Sequence, residues 1–320
     1  MFSIKRIGWI VAVLMLIMTT SGCCENYLSD SENVDEPTIP KEILDLIEKD
    51  KVVCASGIRV AIKGIEQSYN RMDELIDTFD WSGSSFSANI QMINALDKAQ
   101  PYSLYLLQNG QPIPFSIEGH EYTSYHFVLE GGLEVDLETS PPIEIGSCRL
   151  DFLLCCDEAT ELFLTSYTVW LESGECKYPP IGELDVELRE GLYGTCTGNT
   201  FHAWLWNADD LPESSDNVGD YERVFYDGDS FVLEAIAGEE RPYRLTFYVN
   251  GEPTQLRIDD EISDYIDCYF KPDKMFRKNI ELEKGEEIKE FFVVATPLGM
   301  EYLSEFCKPS VRTLFTTNVD

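Results

Sequence analysis

From Asp80 onward, short apolar and alternating segments follow one another without the period of a helix. Residues 102–108 and 112–117 flank Asn109-Gly110, a dipeptide that accepts the positive φ angles of a type I′ hairpin turn. No helical segment separates the strand candidates, which argues against parallel βαβ units. The pattern therefore predicts antiparallel strands. The further strand candidates are residues 124–130, 133–137, 148–155, 162–171, 182–188 and 200–206.

The segment 41–79 has a different period, which predicts helices. Its clearest stretch repeats apolar residues at steps of 4, 3, 4, 3 and 4, so that they share one helical face. We predict that this face packs on a neighbouring domain, with a partner-binding helix as the alternative. The residues on this face are Ile58, Ile62, Ile65, Tyr69, Met72 and Ile76, and a shorter helix before them is marked by Ile43, Leu44 and Ile47.

An internal repeat connects two parts of the chain. Residues 101–104 (PYSL) return as 242–245 (PYRL), and 109–112 (NGQP) return as 250–253 (NGEP), at an offset of 242 − 101 = 141 residues. Across 101–117 this offset gives seven identities in seventeen positions, where random composition gives about one.

The repeat and the strand pattern together predict a mainly β protein with two tandem antiparallel β-sandwich modules of immunoglobulin-like type, preceded by the short helical segment. We place the first module at residues 80–172 and the second at 222–320, with an irregular, partly β connecting region at 173–221. Two copies of one scaffold favour a binding role over a single reaction centre.

The first 22 residues have the layout of a secretory signal peptide. Lys5 and Arg6 precede twelve mainly apolar residues at 7–18, and small residues follow. Twelve helical residues span about 18 Å, which is short of the roughly 30 Å hydrocarbon core of a membrane. An uncleaved N-terminal membrane anchor is the alternative.

Residues 20–23 (TSGC) resemble the lipobox of bacterial lipoproteins, with Thr20 where that class usually has Leu. The resemblance implies that Cys23 receives a diacylglyceryl group and becomes the N-terminus after residues 1–22 are removed. Because two acyl chains give stable anchoring, the expected location is the outer face of the bacterial cell membrane or the outer membrane. Residues 23–40, which are acidic and contain two prolines, then form a flexible tether.

The chain carries 58 acidic residues and 24 Lys or Arg residues, a net charge of −34. No basic footprint is visible, which argues against nucleic acid as a partner. An anionic bilayer repels such a body, so the lipid has to hold it at the membrane. No cofactor is expected apart from Ca²⁺. The candidate oxygen ligands for Ca²⁺ are Asp216, Asp220, Asp227 and Asp229, with solvated acidic loops as the alternative.

No catalytic motif stands out. The three histidines, His120, His126 and His202, form neither a zinc-binding spacing nor part of a nucleophile elbow. Eight cysteines lie in the body, where export permits disulfides, but adjacent Cys155 and Cys156 should point to opposite strand faces. With 58 carboxylates, an exported glycosidase-like hydrolase that uses a carboxylate pair is the alternative function.

Aromatic residues give the remaining indication of binding. In residues 201–206 (FHAWLW), strand alternation directs one set of side chains towards the core and the other set outwards. The outward set, which is the candidate ligand-binding site, is His202, Trp204 and Trp206. Exposed indoles stack on sugars or peptides, so we predict a non-catalytic role with an envelope glycan or protein as ligand. The alternative is a strand buried on both faces.

Overall fold

The computed structural model describes residues 56–63, 67–69, 77–83, 85–144, 146–156, 163–174, 188–190, 200–207, 223–225, 230–272, 274–282, 290–299, 302, 305–310 and 313–316. The elements of this part of the chain are β-strands, which confirms the mainly β fold. They form four sheets, arranged as two sandwich modules. Within these residues, no helix is long and apolar enough to cross a bilayer.

Module 1 contains the strands β1 (Ser56–Ile62), β2 (Gln67–Tyr69), β3 (Asp77–Asp80), β4 (Ala88–Asn94), β5 (Gln100–Gln108), β6 (Gln111–Pro112), β7 (Phe115–Ile117), β8 (His120–Tyr122), β9 (Tyr125–Leu129), β10 (Glu134–Thr139), β11 (Cys148–Cys156) and β12 (Phe163–Glu172). One sheet has the order β1-β4-β10-β7-β8. The other has the order β2-β3-β12-β11-β5-β6, with β9 also paired to β5. Their facing sides bury an apolar core that includes Ile90, Leu104, Phe115 and Phe152.

Module 2 contains β13 (Leu188–Glu190), β14 (Phe201–Asn207), β15 (Arg223–Phe225), β16 (Ser230–Ala237), β17 (Arg241–Val249), β18 (Glu252–Pro253), β19 (Leu256–Ile258), β20 (Glu261–Ser263), β21 (Tyr265–Phe270), β22 (Lys274–Glu281), β23 (Glu290–Pro297), β24 (Lys308–Pro309) and β25 (Thr313–Thr316). One sheet has the order β14-β16-β22-β19-β20, with β13 on β22. The other has the order β15-β25-β23-β17-β18, with β21 on β17 and β24 on β23. The core between them includes Phe201, Tyr243, Phe247 and Phe270.

The repeat seen in the sequence is also a repeat of structure. Adding 141 to the bounds of β5 gives 241 and 249, which are the bounds of β17. Each module also contains a parallel pair, which is β3 with β12 in module 1 and β15 with β25 in module 2. The turns agree as well, with φ angles of 51° and 77° at Asn109 and Gly110 and of 51° and 78° at Asn250 and Gly251. Two successive positive φ angles are the type I′ geometry that Asn-Gly predicted.

The helices predicted at 41–79 are wrong wherever the structure describes that segment. Ile58 and Ile62 lie in β1, and Tyr69 lies in β2. A step of four residues preserves one face in a strand as well as in a helix, because four is a multiple of the strand period. In β1, buried Ile58 and Val60 lie on either side of exposed Arg59, and β-branched residues favour the strand. The other predicted helical positions, Ile43, Leu44, Ile47, Ile65, Met72 and Ile76, lie outside the described residues.

The module boundaries differ from those predicted. Strands β1 and β3 begin before residue 80, yet they pair with β4 and β12, so module 1 extends back at least to Ser56. Strands β13 and β14 lie within the predicted connecting region 173–221, and they pair with strands of module 2. An edge strand contacts only one neighbour in its sheet, so its own sequence does not reveal which sheet it joins.

The two modules pack against each other through equivalent sheet faces. The rings of Tyr105 and Tyr248 meet edge to face at 4.9 Å. Thr246 Oγ1 donates to the Gly110 carbonyl at 2.6 Å, and a Cβ added at Gly251 would lie 3.5 Å from Tyr105 Oη. Since 105 + 141 = 246 and 110 + 141 = 251, these contacts are reciprocal and define a pseudo-twofold axis. The shared apolar cluster contains Tyr105, Leu107, Leu153, Cys155, Tyr248, Phe292, Val294 and Cys307.

A buried ion pair of module 1 holds a late segment of module 2. Arg149 and Asp151 are both completely buried, with Nε 2.8 Å from Oδ2. The Arg149 guanidinium also donates to the backbone carbonyls of Tyr302 at 3.3 Å and Glu305 at 2.5 Å. These bonds supply partners for a cation that would otherwise be costly to bury.

Candidate functional site

Strand β14 has the two-sided character that its sequence predicted. Phe201, Ala203 and Leu205 belong to the apolar core of module 2. Antiparallel pairing with β16 places Trp204 beside Glu234 on the opposite face of the sheet. The candidate residues His202, Trp204 and Trp206 therefore share the outer face, but they differ strongly in exposure.

Trp206 is not available to a ligand. Only 5% of it is exposed, and its indole Nε1 donates to Glu234 Oε2 at 2.9 Å. Glu234 is completely buried and also accepts from Arg277 Nε at 2.6 Å. The expectation of two indoles on one open surface is therefore wrong at Trp206, because this indole satisfies a buried carboxylate. Alternation identifies the face of a side chain, but not whether that face is covered.

His202 and Trp204 form the accessible part of this face. His202 is exposed and Trp204 is half-buried, and their rings are near-parallel, with centroids 5.7 Å apart and planes at 16°. Trp204 packs on Ile236 and Met275, which fixes it from behind. Partial shielding from water lowers the pKa of His202 below its usual value, so the imidazole is neutral at pH 7. The pair is a fixed, uncharged aromatic surface.

Module 1 uses the same positions differently. Gln91 lies between Arg59 and Asp136 in its sheet, and Asp136 corresponds to Arg277 because 136 + 141 = 277. The matching row of module 2 is Trp204, Glu234 and Arg277. Arg59 and Asp136 are exposed and Gln91 is half-buried, whereas Glu234 is completely buried. Among the described residues of this row, the aromatic side chain therefore belongs to module 2.

Several sequence candidates fall outside the residues that the structure describes. They include the lipid-anchor candidate Cys23 and the four calcium candidates Asp216, Asp220, Asp227 and Asp229. Within the described ranges, no group of three or more His, Cys, Asp or Glu side chains is arranged to hold a metal ion.

The cysteines of the described segments are buried. Cys155 belongs to the junction cluster and Cys156 to the module 1 core, on opposite faces of β11 as alternation predicted. Burial, together with the nearby Asp151 carboxylate, raises the pKa of Cys307 to about 12. The Cys307 thiol therefore keeps its proton at neutral pH, which makes it a poor nucleophile. These buried cysteines are Cys148, Cys155, Cys156, Cys268 and Cys307.

Sequence reasoning missed a polar cluster at the module junction. Ser103 Oγ lies 2.6 Å from His126 Nδ1, and His126 Nε2 lies 3.1 Å from Glu252 Oε1. Ser124 Oγ donates to the same carboxylate and lies 3.1 Å from His126 Nε2. The cluster joins β5 and β9 of module 1 to β18 of module 2. Its residue types are those of a Ser-His-Glu triad.

The geometry supports a structural clasp rather than a triad. Ser103 is 0% and Ser124 is 6% exposed, so neither hydroxyl is placed to attack an incoming carbonyl carbon. Since 103 + 141 = 244 and 126 + 141 = 267, the equivalent pair in module 2 is Arg244 and Asp267, which form a bidentate ion pair with both distances 2.7 Å. Arg244 also donates to the Asn109 carbonyl at 3.0 Å. The offset of the repeat is the sequence signal that links these positions.

Comparisons with known proteins do not assign the chain to a family. No protein-family model and no curated protein matches it. Similar solved structures include the FixG-related protein from Vibrio parahaemolyticus, at 13% identity and a TM-score of 0.24, covering 37% of this chain and 95% of that one. The E. coli chaperone DraB matches at 9% identity and a TM-score of 0.25, covering 80% and 97%. The PapD-like domain 7 of human CEP192 matches at 14% identity and a TM-score of 0.21, covering 48% and 100%. The fold assignment therefore rests on the strand order described above.

Proposed function

We propose that this chain is a lipid-anchored cell-envelope protein with a non-catalytic binding role, and that His202 and Trp204 contact its ligand. The observation that supports this proposal is the ring pair itself. Packing on Ile236 and Met275 fixes Trp204, so little side-chain freedom is lost when a ligand binds. A half-buried indole next to a neutral imidazole suits the apolar face of a sugar or an aromatic side chain. We therefore propose an envelope glycan or an envelope protein as ligand.

The lipid anchor belongs to the same proposal. The charged start, the apolar run and the TSGC sequence support export and lipidation at Cys23. A body with a net charge near −34 is repelled by anionic lipid, so two acyl chains supply the attachment that its surface does not. The acidic residues 23–40 then separate the modules from the membrane.

Binding is tested with immobilised envelope glycans and envelope proteins and the full chain. Trp204→Ala should weaken retention at least about tenfold, as expected for an aromatic contact worth about 1.4 kcal/mol or more. Arg59→Ala is the matched control, because Arg59 holds the equivalent row position in module 1 and is solvent-exposed. Equal retention of the two variants on every probe would contradict the proposal that His202 and Trp204 contact the ligand.

Anchoring is tested by fractionation of cells that express the chain. Cys24 follows Cys23 directly and is a competing acceptor for the lipid. Replacement of both cysteines by Ala should therefore release the protein from the membrane fraction, because no thiol is left there to carry the lipid. A double variant that stays in the membrane with its N-terminus uncut would contradict lipidation and favour the uncleaved anchor.

A further inference from the structure

A thiol and a carboxamide meet at one end of the module 1 core. Strand β11 ends at Cys156, and the neighbouring strand β5 begins at Gln100. Both residues are completely buried. The Cys156 thiol donates to Gln100 Oε1, with sulfur and oxygen 3.8 Å apart. Within the described part of the chain, the amide nitrogen Nε2 of Gln100 has no hydrogen-bond partner.

A buried amide nitrogen without a hydrogen-bond acceptor is unusual. Buried side-chain nitrogens nearly always donate to an acceptor, because leaving them without one is costly. Module 2 has a different residue at the equivalent position. Since 100 + 141 = 241, the equivalent of Gln100 is Arg241, whose guanidinium pairs with Glu239 and Glu305. At these equivalent positions, only module 1 therefore places a thiol next to a carboxamide whose nitrogen lacks an acceptor.

We infer that Cys156 and Gln100 form an internal thioester. The sulfur of Cys156 adds to the Gln100 side-chain carbonyl carbon, and the carbon–nitrogen bond of the carboxamide breaks. The thiol proton leaves with that nitrogen, so the products are one thioester and one ammonia, and no oxidant or reductant is consumed. The reaction is unimolecular in the folded chain, because the two strands already hold the reacting groups together.

Three features of the site favour this product. Loss of the amide nitrogen breaks no hydrogen bond to the described residues, and it removes a buried donor that lacked an acceptor. The surrounding apolar core keeps water away from a bond that water would hydrolyse. The cross-link also joins the start of β5 to the end of β11, the two strands whose outer faces meet module 2. The bond is therefore a covalent staple of the folded chain, and it reacts with small primary amines once the chain unfolds.

The mass of the purified full chain tests the inference. The expected mass is lower than that of the unmodified chain by one ammonia, and peptide mapping should find the peptide of Gln100 joined to the peptide of Cys156. Treatment of the unfolded protein with methylamine should open the bond, add one methylamine and release one thiol that iodoacetamide can label. A chain of full mass, with Cys156 labelled by iodoacetamide on unfolding, would overturn the inference.

Two variants assign the bond. Cys156→Ala and Gln100→Ala should each abolish the loss of ammonia, whereas Cys155→Ala, one residue away on the opposite strand face, should retain it. Persistence of the loss in Cys156→Ala would place the modification elsewhere and overturn the assignment. Because the wild-type mass is decisive alone, a variant that folds poorly does not block the test. The readout is independent of ligand binding through His202 and Trp204.

Discussion

Modules 1 and 2 share one strand order but treat the outer face of the same sheet in opposite ways. In module 1 the face is solvated, and Glu138 pairs with Lys63 at 2.6 Å in the open. In module 2 it is aromatic, and Glu234 lies completely buried between Trp206 and Arg277. The inner faces and the Asn-Gly turns are alike in the two modules because they specify the sandwich. The outer face is not needed for the sandwich, so its residues can differ. We therefore look for a function specific to module 2 on its outer face.

The largest effect is expected from the buried ion pair of that face. Arg277→Met removes the cation that pairs with the fully buried Glu234 carboxylate and should cost about 3 kcal/mol of unfolding free energy or more. Asp136→Ala changes the equivalent, exposed position of module 1 and should stay within about 0.5 kcal/mol. Urea unfolding followed by tryptophan fluorescence compares the two variants. Losses of the same size would show that the two faces do not differ in energetics.

The matched glycines of the two hairpins come next. Gly110→Ala and Gly251→Ala both force a positive φ on a residue with a Cβ, at about 1–2 kcal/mol each. The added Cβ would lie 2.9 Å from Thr296 Cβ at Gly110, but 3.1 Å from the edge of the His126 ring at Gly251. Because Thr296 is completely buried whereas the imidazole is partly exposed, Gly110→Ala should cost about 1 kcal/mol more.

Urea midpoints of the two glycine variants measure this difference, with the wild type as reference. If Gly251→Ala proves the more damaging change, the His126 clasp is tighter than the Thr296 side of the junction. The contact of Gly251 with His126 would then contribute more to stability than the contact of Gly110 with Thr296.

Local signals account for the parts of the fold that the sequence could predict. Asn109-Gly110 and Asn250-Gly251 predicted their turns because the positive φ angles depend only on those residues. The helical face through Ile58 failed because a spacing of four residues fits both periods. Pairing with β4 stabilises this segment as strand β1.

The candidate site was harder to predict because its properties arise between strands. Alternation placed Trp206 on the outer face, but its burial depends on Glu234, 28 residues later in the chain. The clasp of His126 with Glu252 joins residues 126 positions apart and crosses the module boundary. Neither contact leaves a local pattern, and the repeat offset gives only the equivalent positions.

A smaller effect is expected from the exposed edge of the aromatic face. Trp204→Ala removes a half-buried indole from Ile236 and Met275 and should cost about 1–2 kcal/mol of unfolding free energy. Arg59→Ala, its counterpart in module 1, should cost less than about 0.5 kcal/mol because the residue is exposed. Thermal unfolding of both variants separates a packing role from ligand contact. If Trp204→Ala unfolds like the wild type, its packing on Ile236 and Met275 contributes little.

The smallest effect is expected in the pH dependence of the unfolding free energy. Only module 2 contributes to it at this position, because Gly57 is the residue of module 1 that corresponds to His202. Shielding from water lowers the pKa of His202 in the folded chain, whereas the unfolded value is about 6.5. As the pH falls, the unfolded chain therefore takes up this proton first, which favours unfolding. The stability that neutral His202 contributes is complete above about pH 6.5 and is lost as the pH falls from there through the lower folded pKa. His202→Asn should flatten the dependence of unfolding free energy on pH in that window, whereas His120→Asn, on exposed β8, serves as the control. Identical slopes for wild type and His202→Asn between about pH 5 and 7 would mean that the ring is as hydrated in the folded chain as in the unfolded one.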